Sequence, residues 1–311
     1  MELLYGVFVG PFRDMLTAPT FLVEVLIGGI AAGLMYSLVA LGFVLIFKAS
    51  GVFNFAQGVM VLFAALTLVG LMERGVPIPF ALALTMLIMV ALAFAIERVV
   101  LRPLVNQEQI ILFMATIGLN FFLEGFGELV WGSNVKKLDI GIPDSSFMVA
   151  GVQMNKLEMT AALTSAVLVA ILAVFFQKTR VGRALRAVAD DHEAALSIGI
   201  PLNTIWVVVW SVAGLVAIVA GIMWGAKSGV QFSLSLIALK ALPVLILGGF
   251  TSVPGAIVGG LIIGVGEKLA EVYWGPLVGG AIENWFAYVM ALTFLLFRPQ
   301  GLFGERIIER V

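Results

Sequence analysis

The chain has 311 residues, 61% of them hydrophobic and 12% charged, and its mean hydropathy is +1.12. That composition excludes a soluble domain of this size, and a formal net charge of -1 without any lysine or arginine run excludes a nucleic-acid partner. The absence of cysteine removes disulfides, thiolate metal sites and thiol chemistry.

Residues 1–20 read as an N-terminal segment. Glu2 stands where a signal peptide would carry a basic residue, and the apolar run from Leu3 breaks at Pro11, so no cleaved leader is expected. Apolar runs long enough to cross about 30 Å of hydrocarbon as helices follow at about 21–47, 54–72, 77–97, 108–131, 160–177, 204–225, 234–250, 253–272 and 283–298. They lack the alternation of outer-membrane barrel strands. The expected fold is an all-α polytopic membrane protein, a bundle of about 8–10 transmembrane helices within residues 21–298, followed by a cytoplasmic tail at 299–311.

Placing the connection 178–203 and the tail on the cytoplasmic side requires an even number of spans between them, and four are predicted. Ten basic residues then fall inside, Lys48, Arg98 and Arg102 among them, against six outside, a moderate positive-inside bias. The long outer connection 132–159, with Gly141, Pro143 and Asp144, reads as a structured extracytoplasmic loop on which a periplasmic partner lands. Glycines four apart, such as Gly29 and Gly33 or Gly260 and Gly264, predict closely packed helix backbones.

Polar residues inside the spans are the binding candidates, because an unpaired charge at the membrane centre costs at least about 2.5–3.5 kcal/mol. The break at Ser50-Gly51 is followed by Asn54 and Gln57, and two readings stay open: a plain cytoplasmic turn with Asn54 capping the next helix, or a discontinuous helix whose break lies inside the bundle. In the fourth span Thr116, Asn120 and Glu124 share one helical face. Glu124 and Glu128 are expected to approach the outer interface and Lys268 to pair or snorkel, whereas for Lys240 pairing and a place on the solute path both stay open. Asn54, Gln57, Thr116, Asn120 and Lys240 are the candidates for a solute path.

No catalytic residues and no metal site are expected. His192 is the single histidine, no HExxH, GxSxG or CxxC occurs, and Gly264-Val-Gly-Glu-Lys268 lacks the spacing and the hydroxyl of a phosphate loop.

The connection 178–203 is the most charged stretch. Arg183, Arg186 and Asp190 gather on one helical side, and Gly199 followed by Pro201 ends a second short helix. Glu193-Ala194-Ala195, three residues, then Gly199 resembles the signature of ABC importer permeases, where a cytoplasmic helix docks in a cleft of the ATPase. With Gly182-Arg-Ala-Leu-Arg-Ala-Val-Ala189 before it, Asn54-Phe-Ala-Gln-Gly58, Ser252-Val-Pro-Gly-Ala256 and Arg298-Pro-Gln-Gly-Leu-Phe-Gly304, most of the chain is similar to the LivH-type permeases of branched-chain amino acid ABC importers.

The resemblance implies a permease without enzymatic activity in the bacterial inner membrane. It implies a coupling surface at Arg183, Arg186, Asp190, Asp191, Glu193, Ala194, Ala195 and Gly199. The implied partners are a second related permease (LivM-like), two ABC ATPase subunits that bind ATP and Mg, and a periplasmic solute-binding protein, in membrane lipid. Branched-chain or other hydrophobic amino acids are the expected solute, with urea, short amides and small organic acids open. An ion-coupled secondary transporter using Glu24 or Glu124 is the alternative mechanism.

Overall fold

Leucine, valine, isoleucine and alanine fill runs of 18 or more residues with few charges, and a chain in lipid must satisfy its backbone internally, so these runs become helices. The computed structural model describes residues 7–104, 107–190 and 192–304. Among the described residues six helices are long and apolar enough to span a membrane, and three shorter apolar stretches complete the bundle. The protein is a multi-pass, all-α membrane protein.

In chain order the helices are α1 (Gly10–Thr17), α2 (Pro19–Ser50), α3 (Gln57–Glu73), α4 (Ile78–Ala95), α5 (Gln109–Trp131), α6 (Lys156–Lys178), α7 (Arg180–Asp190), α8 (His192–Ser197), α9 (Leu202–Ser228), α10 (Ile237–Gly248), α11 (Val253–Tyr273), α12 (Gly275–Val278) and α13 (Phe286–Phe297). A π-helical turn, Ile96–Leu101, extends α4 and buries Glu97 in a 3.0 Å ion pair with Arg102. Helix α6 begins at Lys156, earlier than the apolar pattern indicates, because Asn155 caps it: its Oδ1 accepts from the N–H groups of Leu157 (2.8 Å) and Glu158 (3.1 Å). The loop ahead of it folds as a hairpin of β1 (Ser146–Val149) and β2 (Val152–Asn155), turned at Ala150 (φ 51°) and Gly151 (φ 83°).

Helices α2, α3 and α9 supply the largest shares of the core, and Gln57 to Leu71 are buried without interruption. The α2–α11 seam is the most extensive helix pair, and it is antiparallel. A Cβ on Gly29 would lie 2.7 Å from Val265 Cα, and one on Gly33 2.9 Å from Leu261 Cα, so backbone meets backbone along the seam.

Two ends of the bundle are distinguishable. At one, α7 packs against the ends of α2 and α6, and Lys48 Nζ reaches Thr251 O at 3.5 Å. At the other, beside the hairpin, Lys136 pairs with Glu73, and Lys227 with Glu158 at 2.6 Å.

Candidate functional site

Helix α2 has 32 residues, roughly 48 Å at 1.5 Å per residue, and reaches the α7 end, where Trp206 Nε1 donates to Ala49 O at 3.1 Å. Helix α3 does not start at that depth. A Cβ on Gly221 of α9 would lie 2.7 Å from Val61 O, and fifteen residues of α9 separate Trp206 from Gly221, so Gln57 begins roughly 16 Å inside the bundle. Residues 51–56 are therefore a buried break, and the plain-turn reading is set aside: Asn54 and Gln57 have no exposed surface.

The backbone groups freed there find local partners, as a break within a membrane bundle requires. Asn54 Oδ1 accepts from Ala56 N (3.1 Å), while Thr116 Oγ1 of α5 accepts from Phe55 N (3.1 Å) and donates to backbone carbonyls. Asn54 Nδ2 donates to Gln57 Oε1 at 3.4 Å, and Gln57 Nε2 is buried with no hydrogen-bond partner among the described residues. Gly42 makes room for that amide, since a Cβ there would meet it at 2.5 Å.

A second break approaches from the hairpin end. After α9 the chain turns at Gly229, and a 3-10 turn, Phe232–Leu236, leads into α10. A Cβ on Gly58 would overlap Ser235 O, so the two breaks touch at one depth. Each joins a full-length helix to a shorter one running back toward its own end, an arrangement that transporters use to place free backbone groups beside a solute.

Beside this junction lies a cavity of about 240 Å³ lined by Phe43, Phe53, Phe55, Asn120, Phe121, Glu124, Ser235, Leu236, Ala238, Leu239 and Leu242. Thus Asn120 and Glu124 share the cavity, whereas Thr116, on the same helical face, is 2% exposed and occupied with the break. Glu124 lines the cavity because α5 packs on α3 with its Thr116–Asn120–Glu124 face toward the junction. Toward the α7 end the rings of Phe43 and Phe53 stack at 4.8 Å, and Phe250 packs against Phe53 (6.4 Å) and Phe47 (5.7 Å). Sequence reasoning passed over this aromatic cluster. The four-residue spacing of Phe43 and Phe47, ahead of Phe53 in the break, was its signal.

Lys240 lies apart from that cavity. Its Nζ donates to Glu267 Oε1 (2.9 Å) and to Glu283 O (2.7 Å), and Tyr36 Oη donates to the same carboxylate oxygen at 3.1 Å. The ion pair ties α10 to α11, and Tyr36, stacked on Trp224, adds α2 and α9. Lys268 reaches Glu283 only at 3.6 Å, with both side chains well exposed.

At the α7 end, Thr179 Oγ1 accepts from Gly182 N at 3.1 Å, and Arg186 donates to the carbonyls of Phe176 and of Gln177 (3.3 Å). Arg183 donates to Lys178 O at 3.3 Å. Both arginines thus hold the C-terminal carbonyls of α6, which a helix end leaves unpaired. Leu185, Val188 and Ala195 are buried, while Leu196 and Ile198 are 52% and 72% exposed. Gly199, at φ 84°, closes α8. Asp191 and the side chains of Asp190, His192 and Glu193 lie outside the described residues.

Residues 25–297 match the family model described as branched-chain amino acid transport system / permease component. The high-affinity branched-chain amino acid transport system permease protein BraD of Pseudomonas aeruginosa is 29% identical, over 92% of this chain and 97% of its own length. Its counterpart LivH of Escherichia coli K12 is 27% identical over 94% and 98%, and the probable LivH of Methanocaldococcus jannaschii 28% over 90% and 92%. Among solved structures, PsaBC from Streptococcus pneumoniae in complex with Fab aligns over 92% of this chain and 93% of its own at 16% identity, with a TM-score of 0.44.

Proposed function

The chain belongs to the branched-chain amino acid transport permease family, and from that premise we propose that it forms half of the translocation path of an ATP-driven importer for branched-chain and other hydrophobic amino acids. The observation that carries the reading is the junction of two helix breaks beside a mostly apolar cavity. A carrier of hydrophobic solutes needs a wall that neither clings to them nor exposes bare backbone, and few polar groups suffice. Asn54, Gln57 and Thr116 shape the break, and Asn120 faces the solute.

The complex contains a second related permease, two ATPase subunits that hold ATP and Mg²⁺, and a periplasmic solute-binding protein, all assembled on the bacterial inner membrane. The α7–α8 unit is the coupling surface. Leu196 and Ile198 supply exposed apolar contacts for an ATPase cleft, with Glu193, Ala194 and Gly199 in the same short segment. Arg183 and Arg186 transmit movement by gripping the end of α6. A displacement of α7 also reaches the ends of α2 and α11, because Leu185 and Arg186 share a cleft with Lys48 and Thr251. Closure of the ATPases thereby biases the bundle between two access states, with the aromatic cluster as the barrier on the cytoplasmic side.

Proteoliposomes holding the complex purified with this chain, given loaded binding protein, test the reading. Uptake of labelled leucine that requires internal ATP and survives an uncoupler supports it. Uptake abolished by the uncoupler at constant ATP assigns the chain to ion-coupled transport instead.

A further inference from the structure

Glu124 lies about 10 Å, two helical turns, inside the hairpin end of α5. Among the described residues the two buried acids, Glu97 and Glu267, are each paired with a cation. Glu124 differs: among the described residues it makes no ion pair and no side-chain hydrogen bond, and no lysine or arginine lines its cavity. Asn120, one turn away, also has no side-chain hydrogen bond among the described residues, and it lines the same cavity. A carboxylate at this depth that lacks a partner marks a pathway or a ligand site.

The remaining walls are apolar, Phe43, Phe53, Phe55, Leu239 and Leu242 among them, apart from Ser235, whose hydroxyl donates to Phe232 O at 2.8 Å. One anionic acceptor and one amide beside a mostly apolar cavity complement a small molecule with a cationic head and a hydrocarbon body. The geometry points to Glu124 as the group that receives the α-ammonium of a zwitterionic amino acid, with the Asn120 amide donating to its carboxylate and the aromatic and leucine walls taking its side chain. This assignment rests on the transport reading above and gives the path a reason to prefer amino acids over neutral amides or carboxylic acids of similar shape. A charge-assisted contact of this kind contributes roughly tenfold or more in a binding or transport ratio.

The test uses the complete reconstituted complex, saturating leucine-loaded binding protein, and labelled L-leucine. Glu124→Gln is expected to lower the leucine moved per ATP hydrolysed about tenfold, while binding-protein-stimulated hydrolysis stays within twofold of wild type. Glu124→Asp, which keeps the charge, is expected to recover most of the loss. Unchanged leucine per ATP in Glu124→Gln overturns the assignment and leaves the transport reading standing. Loss of the second permease from the Glu124→Gln complex also overturns it and assigns the carboxylate to the subunit interface. A wild-type complex that moves no leucine, valine or isoleucine overturns both this assignment and the transport reading.

Discussion

Along the α2–α11 seam, Gly29, Gly33, Gly260 and Gly264 bring two backbones into contact, and the Ser37 hydroxyl donates to Gly33 O at 2.8 Å. At the paired breaks the chain leaves the helix twice, Gln57 Nε2 has no partner among the described residues, and Glu124 faces a cavity. The seam has one close-packed solution, because lipid offers no hydrophobic drive and only contact holds helices together. The breaks hold polar groups whose bonds are incomplete, and such groups gain when a solute or a second arrangement completes them. The contrast separates the frame from the working part.

Disturbing the frame should cost most. Gly264→Leu forces a side chain into the backbone of Gly33 and Gly29, and is expected to destabilise the protein by at least about 3 kcal/mol. Loss of monodisperse protein on size exclusion in mild detergent would register this, and a well-folded variant would contradict the packing account. Next comes the Lys240–Glu267 pair, where Lys240→Met leaves a buried carboxylate without its cation at a cost of about 3–5 kcal/mol. Adding Glu267→Leu to it should restore most of the thermal stability lost, which a melting series on the two variants can check.

Arg186→Ala removes two bonds to the end of α6, worth about 2 kcal/mol locally. Faster amide exchange over residues 176–190, with the rest of the bundle unchanged, is the expected signature. On the working side, Gln57→Leu removes a buried amide that lacks a partner for its N–H groups, so its effect on stability should stay within about 1 kcal/mol. Leucine uptake by the same variant should nevertheless fall severalfold, and equal loss of stability and uptake would make Gln57 a frame residue. Smallest of all, Lys268→Ala should shift stability by no more than about 0.5 kcal/mol, since its 3.6 Å pair with Glu283 is exposed.

Part of the candidate site was legible in the sequence. Asn54 and Gln57 stand out as amides in an apolar run, and the four-residue spacing of Asn120 and Glu124 puts them on one face. Sequence left the depth of the break open, because a turn at the membrane surface and a break inside the bundle require the same Gly51 and the same capping residue. Nor does sequence show that Glu124 faces a cavity, which only the packing of α5 decides. Thr116 reads as part of the same stripe, yet its hydroxyl serves the backbone of Phe55, a partner 61 residues away.

What the sequence determined by itself is whatever depends on local chemistry: apolar runs fix which segments become helices of the bundle, and Gly199 fixes where α8 stops. The tertiary structure decided which polar groups are spent and which remain available. Lys240 is paired with Glu267 across 27 residues, Arg183 and Arg186 with the end of a neighbouring helix, and Glu124 with nothing described. Burial raises the cost of each unpaired group, and burial is a property of neighbours brought together from distant parts of the chain, which no local pattern encodes.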